Sequence, residues 1–189
     1  LLVAPYRPPL GQDPVTVVAG CDADETKVAA ARERRADVFL TTDSDELIGR
    51  DDVDIVAIYT PDASHGELIR KALEAGKHVI CTKPLVNSVA DARSIATSLR
   101  ETDRRLLVGQ STRFFESFAE QRGAYNRGEL GELELVDAHY IHRMDWFYEK
   151  SPWAATTTDW VFLGLSHPVD LLVWYLGDID EVHATGATS

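Results

Sequence analysis

The chain has 189 residues, 44% of them hydrophobic and 26% charged, enough for one generous domain or for one domain and part of another, and too apolar for a disordered chain. Its 31 acidic residues outnumber 19 basic ones and leave a formal charge of −12, with no basic run, so a nucleic-acid phosphate backbone is excluded as the expected partner. The longest apolar stretches, 53–59 and 169–176, fall far short of a bilayer span and no charged-then-apolar leader opens the chain, so neither a membrane segment nor a secretory signal is expected.

Residues 1–11, LLVAPYRPPLG, form no obvious element, and an opening on Leu1 rather than methionine reads as a truncated start. A compact apolar strand is expected over 15–21, a helix over 25–35, a short strand over 38–40 and one or two helical turns over 43–48. Val53, Ile55, Val56, Ala57 and Ile58 run apolar almost without interruption, which predicts a central strand covered on both faces. From Asp62 the period changes. Leu68, Ile69, Ala72, Leu73 and Ala75 recur at helical spacing, Gly76 ends the helix, and a strand over 79–81 follows at once. Ser88 caps a helix to about residue 102 with Ala92, Ile95, Ala96 and Leu99 inward, and 106–109 is the next buried strand. This alternation, joined by short connections from Val15 to Gln110, predicts a parallel sheet with helices on both faces.

Beyond Gln110 the grammar changes, and a second domain is expected over 111–189. It opens with a helix over 115–127 and the turn Gly128-Glu129-Leu130-Gly131. A longer strand over 132–142 follows, where Leu133 and Leu135 alternate with Glu132 and Glu134 as in a one-sided antiparallel sheet. Trp146, Phe147, Tyr148 and Trp153 fall in an irregular stretch that reads as a packed lid or interface. A last strand candidate, 182–187, has no partner after it. Cys21 and Cys81 sit at the ends of buried strands and are expected as free core thiols of a reducing compartment, the cytoplasm.

Ligands of open α/β sheets collect at the carboxyl ends of the strands, where Tyr59-Thr60-Pro61 and Thr82-Lys83-Pro84 fall. Lys83 precedes a proline and so takes extended backbone; it is either a solvated surface lysine or an amine desolvated between buried strand ends, with a lowered pKa. Asp22 follows the first strand, where a carboxylate accepts from the ribose hydroxyls of a bound dinucleotide, although Asp22 or Asp24 in that place could equally cap the helix. No arginine stands nearby to balance a 2′-phosphate, which favours NAD over NADP. His167, between Ser166 and Pro168, lies at the amino end of a helix to Leu176; it is either a neutral base or a cap packed on Trp174 or Tyr175. His139 and His142, three apart on an expected strand, face opposite sides, and no metal site is expected.

Several motifs occur in order: Thr60-Pro61-Asp62-Ala63-Ser64-His65, Ala72-Leu73-Glu74-Ala75-Gly76-Lys77-His78-Val79, Lys83-Pro84-Leu85, Gln110 with Arg113-Phe114, the 128–131 turn, and His167 with Asp170-Leu171-Leu172 before Trp174 and Leu176-Gly177. With them the chain resembles the Gfo/Idh/MocA oxidoreductases, the glucose-fructose oxidoreductase and inositol dehydrogenase family, from Val15 to about Thr185. The resemblance implies a partial Rossmann dinucleotide-binding domain over 1–110, lacking its first strand and glycine loop. The beginning of an α+β substrate and oligomerisation domain, with a mostly antiparallel sheet, would follow over 111–189. It implies NAD as cofactor, a sugar, polyol or related hydroxyl compound as substrate, and a homo-oligomer. Asp22 would hold the adenosine ribose; Thr60, Pro61 and His65, with Lys83 and Pro84, would line the nicotinamide side; Lys83 would touch the substrate hydroxyl and His167 act as acid/base.

Three departures stand against the family pattern. Thr82 replaces the glutamate before the lysine, Leu163 replaces the aspartate four residues before the histidine with Asp159 too far back to substitute, and the glycine-rich fingerprint is missing, which places it upstream of Leu1. Without that turn this polypeptide is expected to bind NAD weakly. Two alternatives are therefore carried: a non-catalytic relative used for ligand sensing or protein contact, and a glycoside hydrolase that uses NAD transiently.

Overall fold

The computed structural model describes residues 15–186, so residues 1–14 and Ala187 of the last expected strand lie outside it. The backbone divides into two units, one ending at Val108 and one beginning at Gly109.

The first unit alternates as expected: β1 (Ala19–Cys21), α1 (Glu25–Arg34), β2 (Phe39–Thr41), α2 (Ser44–Ile48), β3 (Ile55–Ile58), α3 (His65–Glu74), β4 (His78–Thr82), α4 (Val89–Arg100) and β5 (Leu106–Gly109). β1 pairs with β2 and β3 with β4, both in parallel, and β5 lies on the far side of β4. The core is one cluster in which Val56, Ile58, Val79 and Cys81 from the strands meet Ile69, Ala72 and Leu73 of α3 and Ile95 of α4. This is a Rossmann-like parallel sheet in two pieces. In the doubly wound order 3-2-1-4-5-6 the first strand separates the second from the fourth; taking β1 and β2 as its second and third, and β3 to β5 as its fourth to sixth, gives the two pieces seen.

In that order β3 takes the fourth place, and among the described residues one of its faces is covered. Among the described residues β3 is an edge strand; Val56 and Ile58 face the core, while Ile55 on the other side is 46% exposed. Among the described residues no strand pairs with β3 on the side away from β4. β1 is also shorter than the 15–21 expected, since its partner β2 offers only three residues to pair.

Local chemistry explains the helix ends. At the carboxyl end of α3, Gly76 takes φ 73°, its N–H reaches Leu73 O at 3.0 Å and the Lys77 N–H reaches Ala72 O at 2.9 Å, a full Schellman closure that turns the chain straight into β4. Ser88 caps α4 through Asp91 N at 3.1 Å, and its hydroxyl meets the Asp91 carboxylate at 2.8 Å. Gly66 packs against that same aspartate: a Cβ there would stand 2.5 Å from Asp91 Cγ. Gly66→Val should therefore push α3 off α4, unseat the cap and lower stability by about 1–3 kcal/mol, read from urea unfolding.

The second unit contains a 3-10 turn at Ser111–Phe114 and five helices among the described residues: α5 (Glu116–Asn126), α6 (Asp145–Lys150), α7 (Ala154–Thr157), α8 (Trp160–Leu163) and α9 (Ser166–Leu176). The strands expected over 132–142 and 182–187 are not formed in the described residues. The alternation over 132–135 marks a side-chain period, but a strand also needs a neighbour for its peptide groups; here no described segment pairs with it, and Leu135 and Ile141 are 86% and 87% exposed. His139 and His142 accordingly have no sheet faces: His139 Nε2 meets Asp137 at 3.1 Å and the His142 ring lies 5.3 Å from that of Tyr140. The stretch expected to be irregular is partly helical. Trp146, Phe147 and Tyr148 lie on α6, and Phe147 sits edge-on to Trp146 at 5.8 Å and to Trp153 at 6.2 Å. No helix of the described residues is long and apolar enough to cross a membrane.

Candidate active site

The tips of β3 and β4 carry most of the candidate residues. Thr60 and Pro61 follow β3, a 3-10 turn at Asp62–Ser64 leads into α3, and Thr82, Lys83 and Pro84 come at the end of β4. His65, the first residue of α3, ties these loops together: it is 1% exposed, its Nδ1 lies 2.9 Å from Pro84 O and its Nε2 lies 2.9 Å from Thr60 O. Both partners are acceptors, so a neutral ring, with one N–H, satisfies one of them and a doubly protonated ring satisfies both. The imidazole is thus spent on backbone. It sets Thr60 and Pro84 rather than offering a ring nitrogen to a ligand. Ser64 Oγ donates to Pro61 O at 2.8 Å, which makes Thr60 Oγ1 the donor in its 2.6 Å contact with Ser64 Oγ and closes the turn on itself.

Lys83 is partly buried at this tip. Desolvation holds its ammonium below the ordinary lysine range, and the charge of Asp62 works in the opposite direction. Of the two readings open in the sequence, the surface lysine is therefore the weaker. Asp62 was missed as a site residue; it is 2% exposed. Its signal was an acid directly after Thr60-Pro61 at a strand tip, ahead of the apolar helix. With Thr82 in place of an acid, Asp62 supplies the carboxylate that acts on Lys83. Cys81, one residue back from Thr82, is fully buried and its thiol is pushed up to about 12, so it is inert at neutral pH.

At the tip of β1 the helix cap is Asp24 and not Asp22. Asp24 is the cap of α1, accepting from Thr26 N at 2.9 Å, while Asp22 Oδ1 accepts from Asp24 N at 3.0 Å and the carboxylate draws Lys27 Nζ to 3.3 Å. Lys27, one helical turn on, was not foreseen, and it offsets part of the negative charge there. The carboxylate of Asp22 and the amine of Lys83 are groups of the kind a dinucleotide's hydroxyls require, and a glycine-rich turn for its pyrophosphate does not occur within 15–110.

In the second unit, His167 lies in the first turn of α9 and is 9% exposed. Its ring packs at 5.7 Å from Tyr140, not on Trp174 or Tyr175 as the capping alternative supposed, and its Nδ1 is 3.4 Å from Thr112 Oγ1. Arg113 binds Asp170 through Nε at 2.7 Å and Nη2 at 2.6 Å. Leu163 is a buried aliphatic side chain, and Asp159 uses its carboxylate to cap α8 through Val161 N at 2.7 Å. Among the described residues no group of His, Cys, Asp and Glu is arranged to hold a metal ion.

A parallel α/β unit with Asp22 at one strand tip and a desolvated lysine at another defines the Rossmann class of nucleotide-binding folds. Residues 7–110 match the family model described as the oxidoreductase family with an NAD-binding Rossmann fold, and the chain belongs to that family. The inositol 2-dehydrogenase 1 of Saccharopolyspora erythraea is 32% identical over 166 residues, covering 85% of this chain and 46% of that protein. A 4-carboxy-2-hydroxymuconate-6-semialdehyde dehydrogenase of Sphingobium sp. is 32% identical over 143 residues, 76% of this chain and 45% of its own length. Among solved structures, the myo-inositol 2-dehydrogenase of Lactobacillus plantarum superposes with a TM-score of 0.78 at 20% identity, covering 89% of this chain and 50% of its own, a likeness of fold. The chain spans about half the length of the curated relatives it matches.

Proposed function

We propose that the whole protein is an NAD-dependent oxidoreductase that moves a hydride between a sugar, polyol or related hydroxyl compound and the nicotinamide ring. The observation that carries this reading is Lys83: a partly buried amine with a lowered pKa, at the carboxyl end of a parallel strand, in a chain of an oxidoreductase family. Relatives named as inositol dehydrogenases support the substrate class, and one solved neighbour, the scyllo-inositol dehydrogenase of Lactobacillus casei, is described with bound NAD(H) and scyllo-inositol. A bound NAD supplies the hydride acceptor. Asp22 holds the ribose hydroxyls, and Thr60, Pro61 and Pro84, set by His65, line the nicotinamide side. Lys83 donates a hydrogen bond to the substrate oxygen and stabilises the charge that grows there, and His167 takes the hydroxyl proton as the carbon loses its hydride and becomes a carbonyl.

Mixing the whole protein with NAD and a panel of polyols should raise nicotinamide fluorescence, and NADP should serve less well because Asp22 repels a 2′-phosphate. Binding without turnover on every polyol would replace this reading by the non-catalytic one, which the aliphatic Leu163 favours. Sugar release from a chromogenic glycoside with no net NADH would establish the hydrolase. The unpaired thiols of Cys21 and Cys81 support a reducing, cytoplasmic setting, and the exposed Leu135 and Ile141 support assembly with further copies, to be read by light scattering of the whole protein.

A further inference from the structure

His167 is held from a direction that no spacing in the sequence announces. Thr112 Oγ1 lies 3.4 Å from His167 Nδ1, and both side chains are buried. The very next residue, Arg113, closes a two-bond pair on Asp170 at 2.7 and 2.6 Å. His167 and Asp170 are three residues apart in α9 and share a face, so consecutive residues of the turn Ser111–Phe114 grip that face at two points. A bidentate arginine–carboxylate pair fixes direction as well as distance, and it restrains α9 from rotating or sliding away from the turn.

We propose that Thr112 is the positioning residue of His167, its hydroxyl oxygen accepting the Nδ1 proton so that Nε2 is the basic nitrogen. The inference rests on the reading of His167 as the base and specifies which of its nitrogens does the work. A neutral imidazole has a single proton, and fixing it on Nδ1 determines where the lone pair lies. Free histidine prefers the opposite tautomer, with the proton on Nε2, so an Nδ1–H ring reports an imposed orientation. The 3.4 Å separation is long for such a bond, as hydrogen bonds of this kind are before substrate tightens them.

Long-range proton–nitrogen correlation spectra of the nitrogen-15-labelled chain read the tautomer without cofactor or turnover, with the His167 signal among six histidines assigned by its loss in His167→Gln. His167 is expected as Nδ1–H at neutral pH; Thr112→Val should shift it towards Nε2–H, and Thr112→Ser should keep it as Nδ1–H. An Nε2–H ring in the unaltered chain, or a tautomer that Thr112→Val leaves unchanged, overturns the proposal. If Thr112→Val does not fold, as judged by circular dichroism, the unaltered chain and Thr112→Ser decide the matter. Turnover on polyols with an Nε2–H ring would sink this inference and spare the proposed function, whereas an Nδ1–H ring in a protein without turnover would do the reverse.

Discussion

Replacing His65 by leucine should cost about 1–3 kcal/mol of unfolding free energy, because it strips the ring N–H from the backbone carbonyl it bonds while roughly preserving volume. The ring is 1% exposed and its nitrogens lie 2.9 Å from Thr60 O and Pro84 O. An orphaned buried carbonyl costs about 1–3 kcal/mol, a large share of the roughly 5–15 kcal/mol that holds a domain together. A urea titration followed by circular dichroism measures the change, and a loss below about 1 kcal/mol would show that the two contacts carry nothing. His65→Phe separates packing from bonding. It refills the space with a ring, and it should stay nearly as unstable as the leucine variant if the carbonyls are the cause.

Lys83→Met should abolish most turnover, a fall of about 10²–10³, while leaving the unfolding midpoint unchanged or higher. The opposite signs follow from one cause. Burial disfavours the ammonium, so its pKa in the folded chain lies below that of the unfolded chain, and the charged amine is a penalty on folding. That penalty is fully present below the folded pKa and fades as pH rises from there towards the ordinary lysine value; the contribution of Lys83 to stability therefore improves across that window. Lysine-selective labelling tests this directly. Lys83 should lose its proton before Lys71, which is raised by its bonds to Asp45 and Glu67. Unchanged rates in Lys83→Met would remove the residue from the chemistry whatever its titration.

The strand tips were legible in the sequence because their signals are local. Gly76 announced the end of α3, Ser88 the start of α4, and Lys83-Pro84 the extended exit from β4. What was not legible depends on partners distant along the chain. Nothing in the spacing shows that His65 closes on Pro84, 19 residues away, or that Thr112 reaches His167 across 55. Asp62 went unnoticed because a buried acid next to a proline looks like any turn aspartate until its burial is known. The strand over 132–142 failed for a related reason: alternation describes one segment, and a ladder is a property of two. β3 shows the same limit, since an apolar run cannot say whether both of its sides are covered.

The flank of β3 away from β4 is open among the described residues, and a β segment added there, from this protein or another, would extend the sheet. Its peptide groups on that side have no ladder among the described residues, and Ile55 lies beside them with almost half its surface in water. Such a border is a template for another β segment, and the stretch 53–59 has the branched, proline-free make-up that sticks to its own kind. The charge of −12 holds copies apart. Salt shortens the reach of that repulsion to about 10 Å at 0.1 M, so the protein is best protected from clumping in dilute buffer.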